Sequence, residues 1–164
     1  MSLGSAVLLS SRSAAGKPVK ELRQPGQEIT CVAFSPSGSV LLTGTERGAL
    51  LVWEVAKETC LTLCTNVGRK VDRVTWLGND RVVWGSYVEY WKDGEPVNHD
   101  KPAGAVLDRT SGQLRWTFRG FVQDDFFTLA GAPDGSRLVV LEIRGLPRGA
   151  FLLDGATGEV QHTC

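Results

Sequence analysis

Three times along this chain a hydrophobic, strand-like run meets a turn rich in Pro, Gly, Asn or Asp, continues as further strand-like runs, and closes at an acidic or Asp-led turn. The first copy occupies residues 29–55. The second runs from Val71-Asp72-Arg73-Val74-Thr75-Trp76 through Leu77-Gly78-Asn79-Asp80 to Leu107-Asp108-Arg109-Thr110-Ser111-Gly112. The third runs from Phe126-Phe127-Thr128-Leu129 through Ala132-Pro133-Asp134-Gly135 to Leu153-Asp154-Gly155-Ala156-Thr157-Gly158. The last two closing turns share Asp-x-x-(Ser/Thr)-Gly and lie 46 residues apart, and Trp53-Glu54 precedes Leu107-Asp108 by 54. A unit of that size cannot bury its own apolar face and must stack on its neighbours, and a period of roughly 40–50 residues with several short strands per unit marks β-propeller blades.

The strands follow from residue type and punctuation. Residues 30–34, 40–43 and 50–55 are rich in β-branched and aromatic side chains and are bounded by Ser35-Pro36-Ser37-Gly38 and Thr45-Glu46-Arg47-Gly48, which are turn chemistries. The nearly continuous apolar stretch Ala49-Leu50-Leu51-Val52-Trp53 suits a strand covered on both faces, as blades stacked around an axis produce. Ile29, Val32, Phe34, Leu51 and Trp53 are the expected core of the first copy. Residues 3–20 show no period of 3.6, and residues 6–10 and 19–23 read instead as two strands flanking a turn, the outer strands of a further blade. The expected fold is thus all-β: a partial β-propeller of about three four-stranded blades plus those outer strands. As one domain it divides into residues 1–23, 24–66, 67–120 with an insertion at 85–104, and 121–164.

Composition narrows the class of partner. Lys plus Arg equals Asp plus Glu at 18 each, which removes the basic excess that phosphate tracking requires, so nucleic acid is not expected as a partner. No apolar run approaches the ~20 residues of a membrane helix, and residues 3–9 lack the basic flank of a secretory signal, so a cytoplasmic location and no membrane association are expected. Among the cysteines, Cys31 lies in a strand and reads as a buried thiol. Cys60 and Cys64, with His162 and Cys164, do not match zinc-knuckle spacing, and residues four apart on a regular strand face the same way about 13 Å apart, so no metal and no cofactor are expected. The chain holds no phosphate loop, no His-Glu-x-x-His, no Gly-x-Ser-x-Gly and only two histidines, His99 and His162. Asp124-Asp125, adjacent on the chain, would point to opposite faces of a strand rather than pair. No catalytic residue is assigned, and a non-enzyme is expected.

Val32-Ala33-Phe34-Ser35-Pro36-Ser37-Gly38, then Leu42-Thr43-Gly44-Thr45, then Leu51-Val52-Trp53-Glu54-Val55 resembles a WD repeat, whose consensus carries an FSPDG-like turn and ends in Trp-Asp. The resemblance covers residues 24–55 well, 126–160 loosely, and 71–116 through strand and turn pattern. The family's Gly-His dipeptide would fall near Gln24-Pro25 and its tight-turn Asp near Arg47, so the buried His-Asp network is missing and a divergent member is implied. Leu107-Asp108-Arg109-Thr110-Ser111-Gly112-Gln113-Leu114-Arg115-Trp116 also resembles the quinoprotein-like propeller repeats. Both turn patterns have a purely local explanation, in which Asp caps the backbone N–H groups and Gly takes positive φ.

The second copy is longer than the first by an aromatic-rich insertion. Insertions in repeat proteins project from one face, often the binding face. Tyr87, Tyr90, Trp91, Lys92, Asp93 and His99 are the candidate protein-binding residues, because aromatics anchor interfaces. The alternative is that Tyr87 and Trp91 pack between blades. The WD resemblance implies a non-enzymatic scaffold for protein partners. A structural segment of a longer propeller, or one that self-assembles into a homo-oligomeric ring, and a quinoprotein-like enzyme remain as alternatives.

Overall fold

The computed structural model describes residues 6–9, 20–23, 26–57, 59–64, 67–86, 91–92, 95–96, 102–118, 127–142 and 149–163. Its elements are β1 (Ala6–Leu9), β2 (Lys20–Arg23), β3 (Ile29–Phe34), β4 (Val40–Thr45), β5 (Leu50–Glu54), β6 (Thr59–Cys64), β7 (Arg73–Leu77), β8 (Arg81–Gly85), β9 (Trp91–Lys92), β10 (Glu95–Pro96), β11 (Gly104–Asp108), β12 (Leu114–Phe118), β13 (Phe127–Gly131), β14 (Arg137–Glu142), β15 (Gly149–Asp154) and β16 (Val160–Thr163). Twelve of them build three four-stranded antiparallel sheets in the orders β3-β4-β5-β6, β7-β8-β11-β12 and β13-β14-β15-β16. These are blades one, two and three. β1 pairs with β2, and β9 with β10, as separate two-stranded ladders. Among the described residues there is no helix, and the all-β partial propeller expected from the repeat is the fold observed.

Short turns make each blade a simple up-and-down sheet. In Ser35-Pro36-Ser37-Gly38, the Ser35 N–H and carbonyl bond to Val40 (N–H to carbonyl, 2.8 Å) and Gly38 (2.8 Å), while the Val40 N–H donates to Ser35 Oγ at 3.2 Å. In blade three the same turn is Ala132-Pro133-Asp134-Gly135, and Asp134 Oδ1 accepts from the Ser136 N–H at 2.9 Å where Ser37 Oγ accepts from the Ser39 N–H at 3.4 Å. A side-chain oxygen at this position closes the turn in either case.

The blades stack through their apolar faces. β3 lies beside β7 and β7 beside β13, so the three first strands are the inner ones. Between blades one and two sit Val40, Leu42, Leu50 and Val52 against Val71, Val74, Trp76, Val82, Trp84, Ala105 and Leu107. Between blades two and three sit Leu77, Val83, Val106 and Phe118 against Leu138, Val140 and Leu153. Strand β4 is buried at every position and β5 from Leu50 to Trp53, which is the two-sided covering that the continuous apolar run predicted. Leu41, Ala49, Leu51 and Trp53 form a further cluster on the face of blade one that looks away from blade two. There the Trp53 indole N–H, buried, donates to Thr43 Oγ1 at 3.0 Å, which satisfies a polar group that would otherwise be costly to bury.

Two expectations for blade one are corrected. Val32 and Phe34 are not core residues: they are 50% and 51% exposed, and Ile29 is only half-buried. Val32 pairs with Thr43 and Phe34 with Leu41, so both stand on the face away from blade two, while Cys31 and Ala33 pack against the core shared with blade two. On that same face Leu41, Thr43, Leu51 and Trp53 are fully buried, so the far face of blade one is covered over β4 and β5 and open at β3. The second correction concerns Cys60 and Cys64, which do not face the same way. A bulge between Leu50 and Leu51 shifts the β5–β6 register, so Cys60 packs with the Trp53 cluster while Leu63 and Cys64 both pack toward blade two. Cys31 is half-buried rather than fully buried, and burial pushes its thiol pKa up, as it does that of Cys60.

Where sheets approach most closely, glycine is obligatory. A Cβ at Gly131 would run into the Trp76 carbonyl oxygen of the neighbouring inner strand. Chemical denaturation should separate these environments: Leu42→Ala should cost about 2–5 kcal/mol, whereas Phe34→Ala should cost under about 1.5 kcal/mol because half of the ring is already in water. Gly131→Ala should destabilise at least as much as Leu42→Ala, since backbone rather than a flexible side chain stands in the way. Equal losses for Phe34→Ala and Leu42→Ala would show that the covering of blade one's far face extends over β3.

Candidate interaction surfaces

The inner strands run parallel to one another, which sorts the loops into two rims. Gly78, in the turn after β7, donates its N–H to the carbonyl of Ala132, in the turn after β13, at 3.0 Å. At the other end Thr30 Oγ1 of β3 donates to the Val71 carbonyl just before β7. The Asp-led turns therefore share one rim, and the connection between β8 and β11 emerges at the opposite rim.

Asp108, Asp134 and Asp154 organise the first rim. Asp108 Oδ1 accepts from the N–H groups of Thr110 (3.0 Å) and Ser111 (2.9 Å) and from Ser111 Oγ (3.0 Å), while Oδ2 accepts from the Arg115 guanidinium at 2.6 Å. Asp154 repeats the pattern with Ala156, Thr157 and, through Oδ2, the Gln161 amide. Gly112 and Gly158 close these turns at φ 69° and 77°. The local reading of the Asp-x-x-(Ser/Thr)-Gly motif is thus the observed one. The backbone N–H of Ser111, then the Arg115 guanidinium, hold the Asp108 carboxyl far below the usual carboxylate range, and the N–H groups of Thr157 and Ser136 lower Asp154 and Asp134 in the same way.

Arg81 clasps blade two to blade three at this rim. Its side chain, 19% exposed, donates to the carbonyl of Gly135 at 2.9 Å and to that of Gly155, and the Trp116 indole N–H reaches the same Gly155 carbonyl at 3.3 Å. The corresponding tie between blades one and two is the Trp76 indole N–H donating to the Ala33 carbonyl at 3.1 Å.

Stacked blades diverge outward, and a cleft of about 320 Å³ opens between the outer parts of blades one and two. Val52, Glu54, Leu61, Thr62, Leu63, Arg109, Thr110 and Ser111 line it. Leu61, ladder partner of Val52, is 61% exposed although it lies on the face turned to blade two. Leu114, ladder partner of Leu107, is 58% exposed on the face turned back to blade one. Sequence pattern did not single out these residues, because an apolar residue on an outer strand looks the same as one on a buried strand until the blades are stacked.

Of the sequence-derived binding residues, Tyr87, Tyr90, Asp93 and His99 lie outside the described residues, and Trp91 and Lys92 are placed only as strand β9. The insertion that carries them leaves blade two at Gly85 and re-enters at Gly104, which pair with each other, with the Ser86 N–H donating to the Ala103 carbonyl at 2.7 Å. Asp124-Asp125 also lies outside the described residues. Among the described residues no group of three His, Cys, Asp or Glu side chains is placed to hold a metal ion, and no helix is long and apolar enough to cross a membrane.

The stacked sheets and their rims define a class of fold, the β-propeller, and comparison with known proteins supports it. Residues 16–54 match the WD domain, G-beta repeat family. No curated protein matches this sequence. Among solved structures, the fold is similar to that of U3-55K, at 16% identity and a TM-score of 0.62 over 87% of this chain and 41% of that one. It is similar also to the crystal structure of the mitotic checkpoint complex, at 18% identity and a TM-score of 0.63 over 88% of this chain and 40% of that one. The chain thus spans about two fifths of the length of these structures. The divergent WD-repeat propeller inferred from residues 24–55 is supported: blade one carries the repeat, and blades two and three carry the fold beyond the matched residues.

Because the folded-state pKa of Asp108 is depressed, its contribution to stability is present above the ordinary value of 3.8 and is lost as pH falls through the folded value. Thermal melts of the wild-type chain and Asp108→Asn should differ most at neutral pH and converge as pH is taken from about 4 to about 2. A difference in melting temperature that stays constant over that range would mean that the carboxylate charge is not what holds the turn.

Proposed function

We propose that this chain is a non-enzymatic, cytoplasmic scaffold of WD-repeat type that presents blade rims and grooves to protein partners. The observation that carries this reading is the stack of three blades, the first matching a WD repeat, whose depressed carboxylates are all engaged in closing their own turns. A rigid stack is suited to holding loops at fixed spacing, and aromatic residues on such loops are efficient interface anchors. We place the protein-binding patch on the insertion, with Tyr87, Tyr90, Trp91, Lys92, Asp93 and His99.

Affinity capture with quantitative mass spectrometry tests the patch. The double change Tyr90→Ser and Trp91→Ser should remove specific partners while leaving the far-UV spectrum and melting temperature nearly unchanged. Loss of folding would instead assign these residues to packing between blades.

A second reading is favoured by one observation: Val32 and Phe34 stand half-exposed on β3, on the face of blade one turned away from blade two. In that reading the chain is a structural segment that joins further blades, from a second copy or from additional sequence, to complete a ring. Light scattering at micromolar concentration should then show a defined oligomer that Phe34→Asp reduces to monomer. A stable wild-type monomer would exclude assembly from copies of this chain alone.

A further inference from the structure

The cleft between the outer halves of blades one and two combines three features that no turn or core requirement explains. The first is apolar: Leu61, at 61% the most exposed large hydrophobic residue among those described, lines the cleft beside Val52 and Leu63. A scattered exposed leucine is ordinary, but one that joins Val52 and Leu63 in the wall of a cleft forms an apolar socket.

The second feature is charge. Arg109 lies in the cleft wall with its guanidinium 5.8 Å from the Trp76 ring centroid and 3.5 Å from the Asn79 carbonyl, and no carboxylate pairs with it among the described residues. The neighbouring charges are taken: Glu54 pairs with Lys57 at 2.7 Å, and Asp108 with Arg115 at 2.6 Å. The charge left for a ligand is therefore positive, and a guanidinium held against an aromatic ring is pre-oriented for a carboxylate.

The third feature is the strand edge. β6 ends its sheet, and its sequence Thr-Cys-Leu-Thr-Leu-Cys contains neither a charge nor a proline. Exposed edges are normally protected by such residues, as Arg115 does on β12, and an unprotected edge is a template for an added strand. Gly112 closes the end of the groove beside this edge, where a Cβ would meet the Leu63 carbonyl at 2.6 Å.

The geometry points to an extended acidic-apolar peptide of a partner protein as the occupant: it adds as a strand along β6, places an aliphatic side chain against Leu61 and Val52, and sets an Asp or Glu on Arg109. This rests on the interaction-scaffold reading and names a surface separate from the insertion.

A random dodecapeptide phage library, selected on the full chain and counter-selected on Leu61→Asp, tests it. Selected peptides should carry Asp or Glu within about three residues of Leu, Ile or Val, since successive same-face positions on a strand are two apart. By fluorescence polarisation the best peptide should bind Leu61→Asp and Arg109→Gln at least about tenfold more weakly than wild type. Both side chains are at the surface, and unchanged melting temperatures will confirm that the variants remain folded. Peptides whose binding ignores Leu61 and Arg109, or that prefer Lys and Arg, would overturn the assignment. Binding abolished only by Tyr90→Ser and Trp91→Ser would overturn this groove while leaving the scaffold reading standing. Failure to enrich any peptide would also overturn the groove, and the partner-capture experiment would then decide the scaffold reading by itself.

Discussion

Everything in this molecule depends on apolar faces of one sheet pressing on those of the next. β4, β8 and β11 are middle strands, and their buried valines and leucines have no solvent face to which they could turn. Each buried aliphatic side chain contributes about 1.5–3 kcal/mol, so stacking is the dominant favourable term, and a blade by itself would lose it. The Gly131 contact shows how close the approach is, because no side chain at all fits between that position and the Trp76 carbonyl.

Apolar stacking is not directional, and the polar ties between blades supply the register. The Trp76 indole reaches the Ala33 carbonyl, and Arg81 and Trp116 reach the carbonyls at the tips of the blade-three turns. The ties from blade two to blade three meet carbonyls whose positions are set by turns that an Asp side chain has already closed. Turn chemistry thus propagates into blade placement. Asp108, Asp134 and Asp154 are engaged in closing turns, while Arg109, with no carboxylate partner among the described residues, lines a groove that blade divergence opens.

WD-type architecture is supported by the match over residues 16–54 and by the likeness to structures of which this chain covers about two fifths. The missing His-Asp network of the consensus is accompanied in blade one by a simpler arrangement, in which Trp53 donates to Thr43 and the Ala49 N–H donates to Thr45 Oγ1 at 2.9 Å. Those bonds hold β4 to β5 in place of a longer relay.

What the sequence determined by itself was local and periodic. The repeat, the Pro-Ser-Gly and Pro-Asp-Gly turns, the Asp-x-x-(Ser/Thr)-Gly caps and the two-sided burial of β5 all depend on residues near one another in the chain, and each was legible before any coordinates. Burial on β3 was not legible, because Val32 and Ala33 differ only in which neighbour their faces meet. A β5–β6 bulge turned Cys60 and Cys64 to different faces, and a one-residue slip of this kind leaves no mark in composition. The groove was also invisible. Leu61 and Arg109 lie far apart in sequence on separate blades, and only the outward divergence of stacked sheets brings them to one opening.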